Sequence, residues 1–85
     1  VEQVIREVRG LDIGLLINNA GFGTSGLLTD ASLHAEISML RVNCEAVLSL
    51  THYFAQRFRD QRRGGIVFLS SIVAFQGVPY AAHYA

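Results

Sequence analysis

The spacing of apolar side chains changes along the chain, and each change predicts a different element. Val1, Val4, Ile5 and Val8 share one helical face, so residues 1–9 read as the tail of an amphipathic helix closed at Gly10. Ile13-Gly14-Leu15-Leu16-Ile17 does not alternate, which predicts a short strand covered on both faces, as in a parallel sheet. A glycine-rich loop, Asn18 to Gly26, follows it. From Ser32 to Arg59, Leu33, Ile37, Leu40, Cys44, Val47, Thr51, Phe54 and Phe58 recur at spacings of 4, 3, 4, 3, 4, 3 and 4, one continuous helical stripe. Asp30 or Ser32 can cap this helix, and Gly64-Gly65 stops it. A second apolar group, Met39, Val42, Ala46, Leu50 and Tyr53, predicts a helix that meets the sheet on one side and another helix, from a second subunit, on the other. Ile66 to Leu69 is a second non-alternating run ending at Ser70-Ser71; Ile72 to Pro79 reads as loop, and Tyr80 to Ala85 as the opening of a helix.

The order helix, strand, long helix, strand, start of helix is that of an α/β fold, with a right-handed crossover between two parallel strands of a doubly wound sheet. The chain contains no internal repeat and no linker, so residues 1–85 read as part of a single domain.

Composition narrows the function. Seven basic and seven acidic residues balance, which removes the basic surplus that nucleic acids and anionic membranes require. Arg57, Arg59, Arg62 and Arg63 fall at a helix end, where cations suit the dipole, and are expected in water. The single cysteine, Cys44, forms no internal disulfide, and its neighbours Leu40, Val47 and Leu48 predict a buried, inert thiol. His34, His52 and His83 lack metal-ligand spacing; the first two are expected in solvent, while His83 borders the candidate chemistry near Tyr84. No apolar run is long enough for a bilayer, the charged opening residues are not a signal peptide, and a reducing cytoplasm is the expected compartment.

In doubly wound sheets, ligands bind beyond the carboxyl ends of the strands. Both strands end there in small or polar residues, Asn18-Asn19-Ala20-Gly21 on the first and Ser70-Ser71 on the second. Asn43 stands in mid-helix, where asparagine is a poor helix former and a buried amide needs partners.

Asn18-Asn19-Ala20-Gly21 after an apolar strand, Asn43 within Arg41-Val42-Asn43-Cys44, and Ser71 thirteen residues before Tyr84 together resemble the short-chain dehydrogenase/reductase family. The resemblance covers nearly the whole chain. It implies the central part of an NAD(P)-binding Rossmann domain, truncated at both ends, from an NAD(P)-dependent oxidoreductase that interconverts an alcohol and a ketone. Tyr84 would be the acid/base, and Ser71 would orient the substrate oxygen. Asn43 would hold a water that relays protons, or else tie helix to strand. Asn18 and the Ala20 and Gly21 backbone would line the cofactor cleft, the asparagine also tying neighbouring strands. NAD and NADP are not distinguished, because the selecting residues are not in the chain. Free tyrosine has a pKa near 10, so ionisation at neutrality requires roughly 4 kcal/mol of help. The family supplies much of that from a lysine four positions on, which falls past Ala85. Tyr80 and Ser70 are the rival tyrosine and serine, and Phe75, Gln76, Val78 and Tyr80 are candidate substrate contacts that lean towards a hydrophobic ketone or alcohol. No metal is implied. A homodimer or homotetramer is expected for the intact protein, and no catalysis from residues 1–85 alone. The alternative is a non-catalytic dinucleotide-binding relative that serves as a sensor or scaffold.

Overall fold

The computed structural model describes all residues from Val1 to Ala85. Helix α1 (Glu2–Val8) leads to strand β1 (Leu15–Asn18). After a 3₁₀ turn at Leu28–Asp30, α2 (Leu33–Leu40), a π-helical turn (Arg41–Glu45) and α3 (Ala46–Gln61) run on without a break. Strand β2 (Gly65–Phe68) and a 3₁₀ turn at Ile72–Ala74 complete the order. The two strands pair in parallel, Leu15 opposite Gly65 and Asn18 opposite Phe68. Backbone bonds from Gly65 N–H to the Gly14 carbonyl and from Leu69 N–H to the Asn18 carbonyl, each 3.1 Å, prolong the ladder at both ends. This is the α/β arrangement expected, with the Rossmann-type parallel pair joined through a helix.

Ser32, not Asp30, caps the long helix: its Oγ accepts the Ala35 N–H at 3.4 Å. At the other end the reversal falls on Arg62, which takes the left-handed conformation at φ 56°. Arg62 N–H bonds the Arg59 carbonyl at 3.2 Å and Arg63 N–H the Phe58 carbonyl at 3.1 Å, the double closure of a Schellman turn. Gly64 then continues at φ 147°, and Gly65 already belongs to β2, so the helix stops before the glycine pair.

The apolar stripe is buried only in its second half. Phe54 and Phe58 are covered, whereas Leu33 is 73% exposed and Ile37, Leu40 and Cys44 also face solvent. Met39, from the second apolar group, is the most deeply buried side chain, at 2%. The π-helical turn explains the exchange. At about 100° per residue, Met39 and Phe58 would stand roughly 100° apart on a uniform α-helix, and one extra residue in a wide turn removes that offset. Met39 therefore joins the phenylalanines, and the upstream stripe rotates outwards with Cys44, which is exposed rather than buried.

The strands are covered on one face only. Leu15, Ile17 and Val67 are exposed, because the long helix packs on the opposite side of the sheet, and Phe68, which points to the helix side with Asn18, is exposed at the strand's end. The arginine cluster is not wholly in water either. Arg57 is half-buried, stacks over the Phe54 ring at 5.9 Å, and donates to the Val8 carbonyl at 3.0 Å and to the Leu11 carbonyl. Arg63 pairs with Asp12. These contacts hold the C-terminus of α1 against α3. Tyr80 to Ala85 makes a single α-turn, Ala85 N–H to the Ala81 carbonyl at 3.0 Å, and no helix. No helix is long and apolar enough to cross a membrane.

Candidate active site

Parallel pairing brings the carboxyl ends of β1 and β2 to one edge of the sheet, so the segments that follow them leave side by side. Between these segments and the π-helical turn lies a cavity of about 560 Å³, within the usual size of small-molecule sites. Its lining includes Ala20, Gly21, Asn43, Ser70, Ser71 and Tyr84. Residues far apart in sequence, on four separate segments, thus converge on one space. Ala20 and Gly21 offer it nothing larger than a methyl group, so a flat ring can lie against their backbone, as a nicotinamide nucleotide would require. No three His, Cys, Asp or Glu side chains gather as a metal site.

Ser71 begins the 3₁₀ turn, and its Oγ accepts the Val73 N–H at 3.3 Å. That bond uses a lone pair and leaves the hydroxyl proton for another acceptor. Tyr84 lies over the glycine-rich loop: a Cβ on Gly23 would come within 3.1 Å of its Cδ1, so only glycine lets the ring approach this closely. Tyr80, the rival tyrosine, faces a smaller cleft, and its carbonyl accepts the Gly26 N–H at 2.9 Å. Ser70 remains beside Ser71 in the lining. Phe75, Gln76, Val78 and Tyr80 do not line the cavity; Phe22, Leu69 and Ala74 supply its apolar surface instead.

The two asparagines are held by their side chains. Asn43 Oδ1 accepts the Phe22 N–H at 3.0 Å, and its Nδ2 donates to the Phe22 carbonyl at 2.7 Å. This two-point clasp fixes the glycine-rich loop on the π-helical turn, and the turn's extra residue presents the amide to that loop. Asn18 points between strand and helix, 6% exposed, with Nδ2 donating to Thr51 Oγ1 at 3.3 Å and no partner on Oδ1. It ties β1 to α3 and lies outside the cavity.

One cluster had no signal in the sequence. Glu36, buried on α2, accepts at a single oxygen, Oε2, from His83 Nδ1 at 2.5 Å and from Thr24 Oγ1 at 3.1 Å. The hydrogen bond from His83, then that from Thr24, holds its carboxyl below the ordinary glutamate range against the opposing effect of burial. A depressed carboxylate pKa stabilises the fold above the unfolded value, about 4.3, and that contribution disappears as pH falls through the lower folded value. Because the carboxylate is charged, His83 Nδ1 must be the donor. His83 is turned to Glu36 and away from the cavity that its neighbour Tyr84 lines. His34 is exposed, and His52 meets only Gln56, at 3.2 Å.

The sequence model described as short chain dehydrogenase matches residues 1–85. The chain is 37% identical over its whole length to a 3-ketodihydrosphingosine reductase of Bacteroides thetaiotaomicron, of which it covers 31%. Among solved structures, a 7beta-hydroxysteroid dehydrogenase superimposes with a TM-score of 0.92 at 26% identity, over 98% of this chain and 33% of that one. ElxO with NADP bound gives a TM-score of 0.82 at 29% identity, over 98% of this chain and 34% of that one. The chain therefore spans about a third of the length of these relatives.

Proposed function

We propose a reaction for this chain from one established premise: it belongs to the short-chain dehydrogenase/reductase family. The chain forms the central part of the domain of an NAD(P)-dependent oxidoreductase that interconverts an alcohol and a ketone. The cleft lined by Ala20 and Gly21 would hold NAD or NADP, which would accept or supply the hydride. Ser71 donates its free hydroxyl proton in a hydrogen bond to the substrate oxygen and so aligns it with Tyr84. The Tyr84 phenol gives a proton to the carbonyl oxygen during reduction and takes it back during oxidation. Ala20 and Gly21 accept the flat face of the cofactor along their backbone, and Asn43 holds the loop that carries them. Asn18 supports the same loop from within the layer. Apolar lining at Phe22, Leu69 and Ala74 suits a hydrophobic ketone. The proposal extends to a cytoplasmic homodimer or homotetramer.

The observation that carries this function is the meeting of Ser71 and Tyr84 in one cavity with Ala20 and Gly21, while Tyr80 is left outside. The names of the relatives, reductase and dehydrogenase, agree with it. The test is Tyr84→Phe in the full-length protein, assayed with NADH and NADPH against a panel of ketones. Turnover is expected to fall by about 10²- to 10⁴-fold, the usual contribution of a positioned acid/base, with cofactor affinity kept. Undiminished turnover would refute the mechanism, and a wild-type protein that binds cofactor without turning over any ketone or alcohol would favour a sensor.

A further inference from the structure

We infer that Glu36 and His83 are positioning residues for Tyr84, a clasp that fixes the segment bearing the phenol against the long helix and the glycine-rich loop. The inference rests on the acid/base role of Tyr84 and adds two residues that this role does not itself require.

The clasp brackets the contact that places the ring. Tyr84 lies on Gly23; the residue before the tyrosine is His83, and the residue after the glycine is Thr24. Both His83 and Thr24 bond the same oxygen of Glu36, at 2.5 and 3.1 Å. One carboxylate oxygen thereby holds the two backbones on either side of the ring contact. The long helix, through which Glu36 acts, is the most continuous element of the fold. Little else restrains the tyrosine segment. The backbone of residues 80–85 makes one internal bond, Ala85 to Ala81, one to the loop, Gly26 N–H to the Tyr80 carbonyl, and one to the preceding turn, Ala81 N–H to the Val78 carbonyl.

Burying a carboxylate costs free energy unless it is paired. Glu36 is 7% exposed and has two donors, so removing one donor leaves a charge that the neighbourhood must rearrange to satisfy. The rearrangement would shift His83 and, with it, the phenol. Misplacement of a reacting group by about 1 Å can cost on the order of a hundredfold in rate.

The experiment uses the full-length protein with NADH or NADPH and the best substrate from a panel of cyclohexanone, a 3-oxoacyl thioester and a ketosteroid. Glu36→Gln and His83→Leu are each expected to lower kcat by about ten- to a hundredfold with little change in KM or cofactor affinity. The double variant should be no slower than the slower single, because both changes break one contact. His83→Asn places an amide N–H near the position of Nδ1 and should recover most of the loss, which a merely structural role would not produce. If Glu36→Gln fails to fold, the two His83 variants carry the test. Unchanged kcat in His83→Leu, or equal losses in His83→Leu and His83→Asn, would overturn the clasp. Tyr84→Phe measured alongside separates the two levels: if it turns over normally the acid/base role fails, and if it is inactive while His83→Leu is fully active, only the clasp fails.

Discussion

The glycine nearest the candidate chemistry is Gly23. The Tyr84 ring occupies the space a side chain would need there, with Cδ1 only 3.1 Å from where a Cβ would stand. Gly23→Ala forces the ring or the loop to move by a few tenths of an ångström. The loop is clasped by Asn43 through Phe22, so the ring should move. We expect kcat of the full-length protein to fall about tenfold, through misplacement of the phenol, with cofactor affinity retained. An unchanged kcat would show that the ring is free to yield. At this scale the sequence was informative where chemistry follows local spacing. Ala20, Gly21, Ser71 and Tyr84 all reach one cavity. It was silent where a side chain acts across the fold: Glu36 stands between Ala35 and Ile37 on a helix with nothing to announce a donor 47 positions away. Arg57 likewise bonds backbone carbonyls, which no side-chain pattern encodes.

The elements themselves were legible because period and run length separate helices from strands, and both strands were located to within two residues. What failed was the buried face of the long helix. A stripe counted at uniform helical spacing assumes a constant turn, and the π-helical turn at Arg41–Glu45 breaks that assumption in mid-helix. Leu33, Ile37 and Leu40 turned outwards, and Met39 and Glu36 inwards, for one reason. The end of the helix supplies a further test. Arg62 pays a steric cost in the left-handed region, whereas a Cβ on Gly64, at φ 147°, would fall inside the buried Phe58 ring. Arg62→Gly should stabilise the protein by about 1 kcal/mol, and Gly64→Ala should destabilise it by about 3 kcal/mol. Thermal midpoints of the full-length variants should move in opposite directions; a shared direction would mean the helix end has repacked.

The whole molecule exposes far more surface than its size warrants. A compact monomer of 9.3 kDa should present about 5,000 Å² and have a radius of gyration near 12 Å. The values here are 6521 Å² and 15.6 Å, in a slab of 46 × 26 × 14 Å. Much of the excess is apolar. The bare sheet face carries Leu15, Ile17 and Val67, and the outward helix face carries Leu33, Ile37, Leu40 and Leu48. These surfaces lie in different layers, so a single partner element cannot cover both. The sheet face wants a second helical layer, and β1 and β2 each present an edge to which further strands can add. The helix face, which the rotated stripe leaves unpaired, is where a second subunit would pack. Only Met39, Phe54 and Phe58 are buried apolar residues, too few to offset the ordering of the chain. Residues 1–85 produced alone should therefore associate through both faces and unfold over a broad temperature range. Scanning calorimetry and light scattering on the same sample test this, and a monodisperse monomer with a sharp transition would show that three buried side chains and one clasped loop suffice to hold the fold.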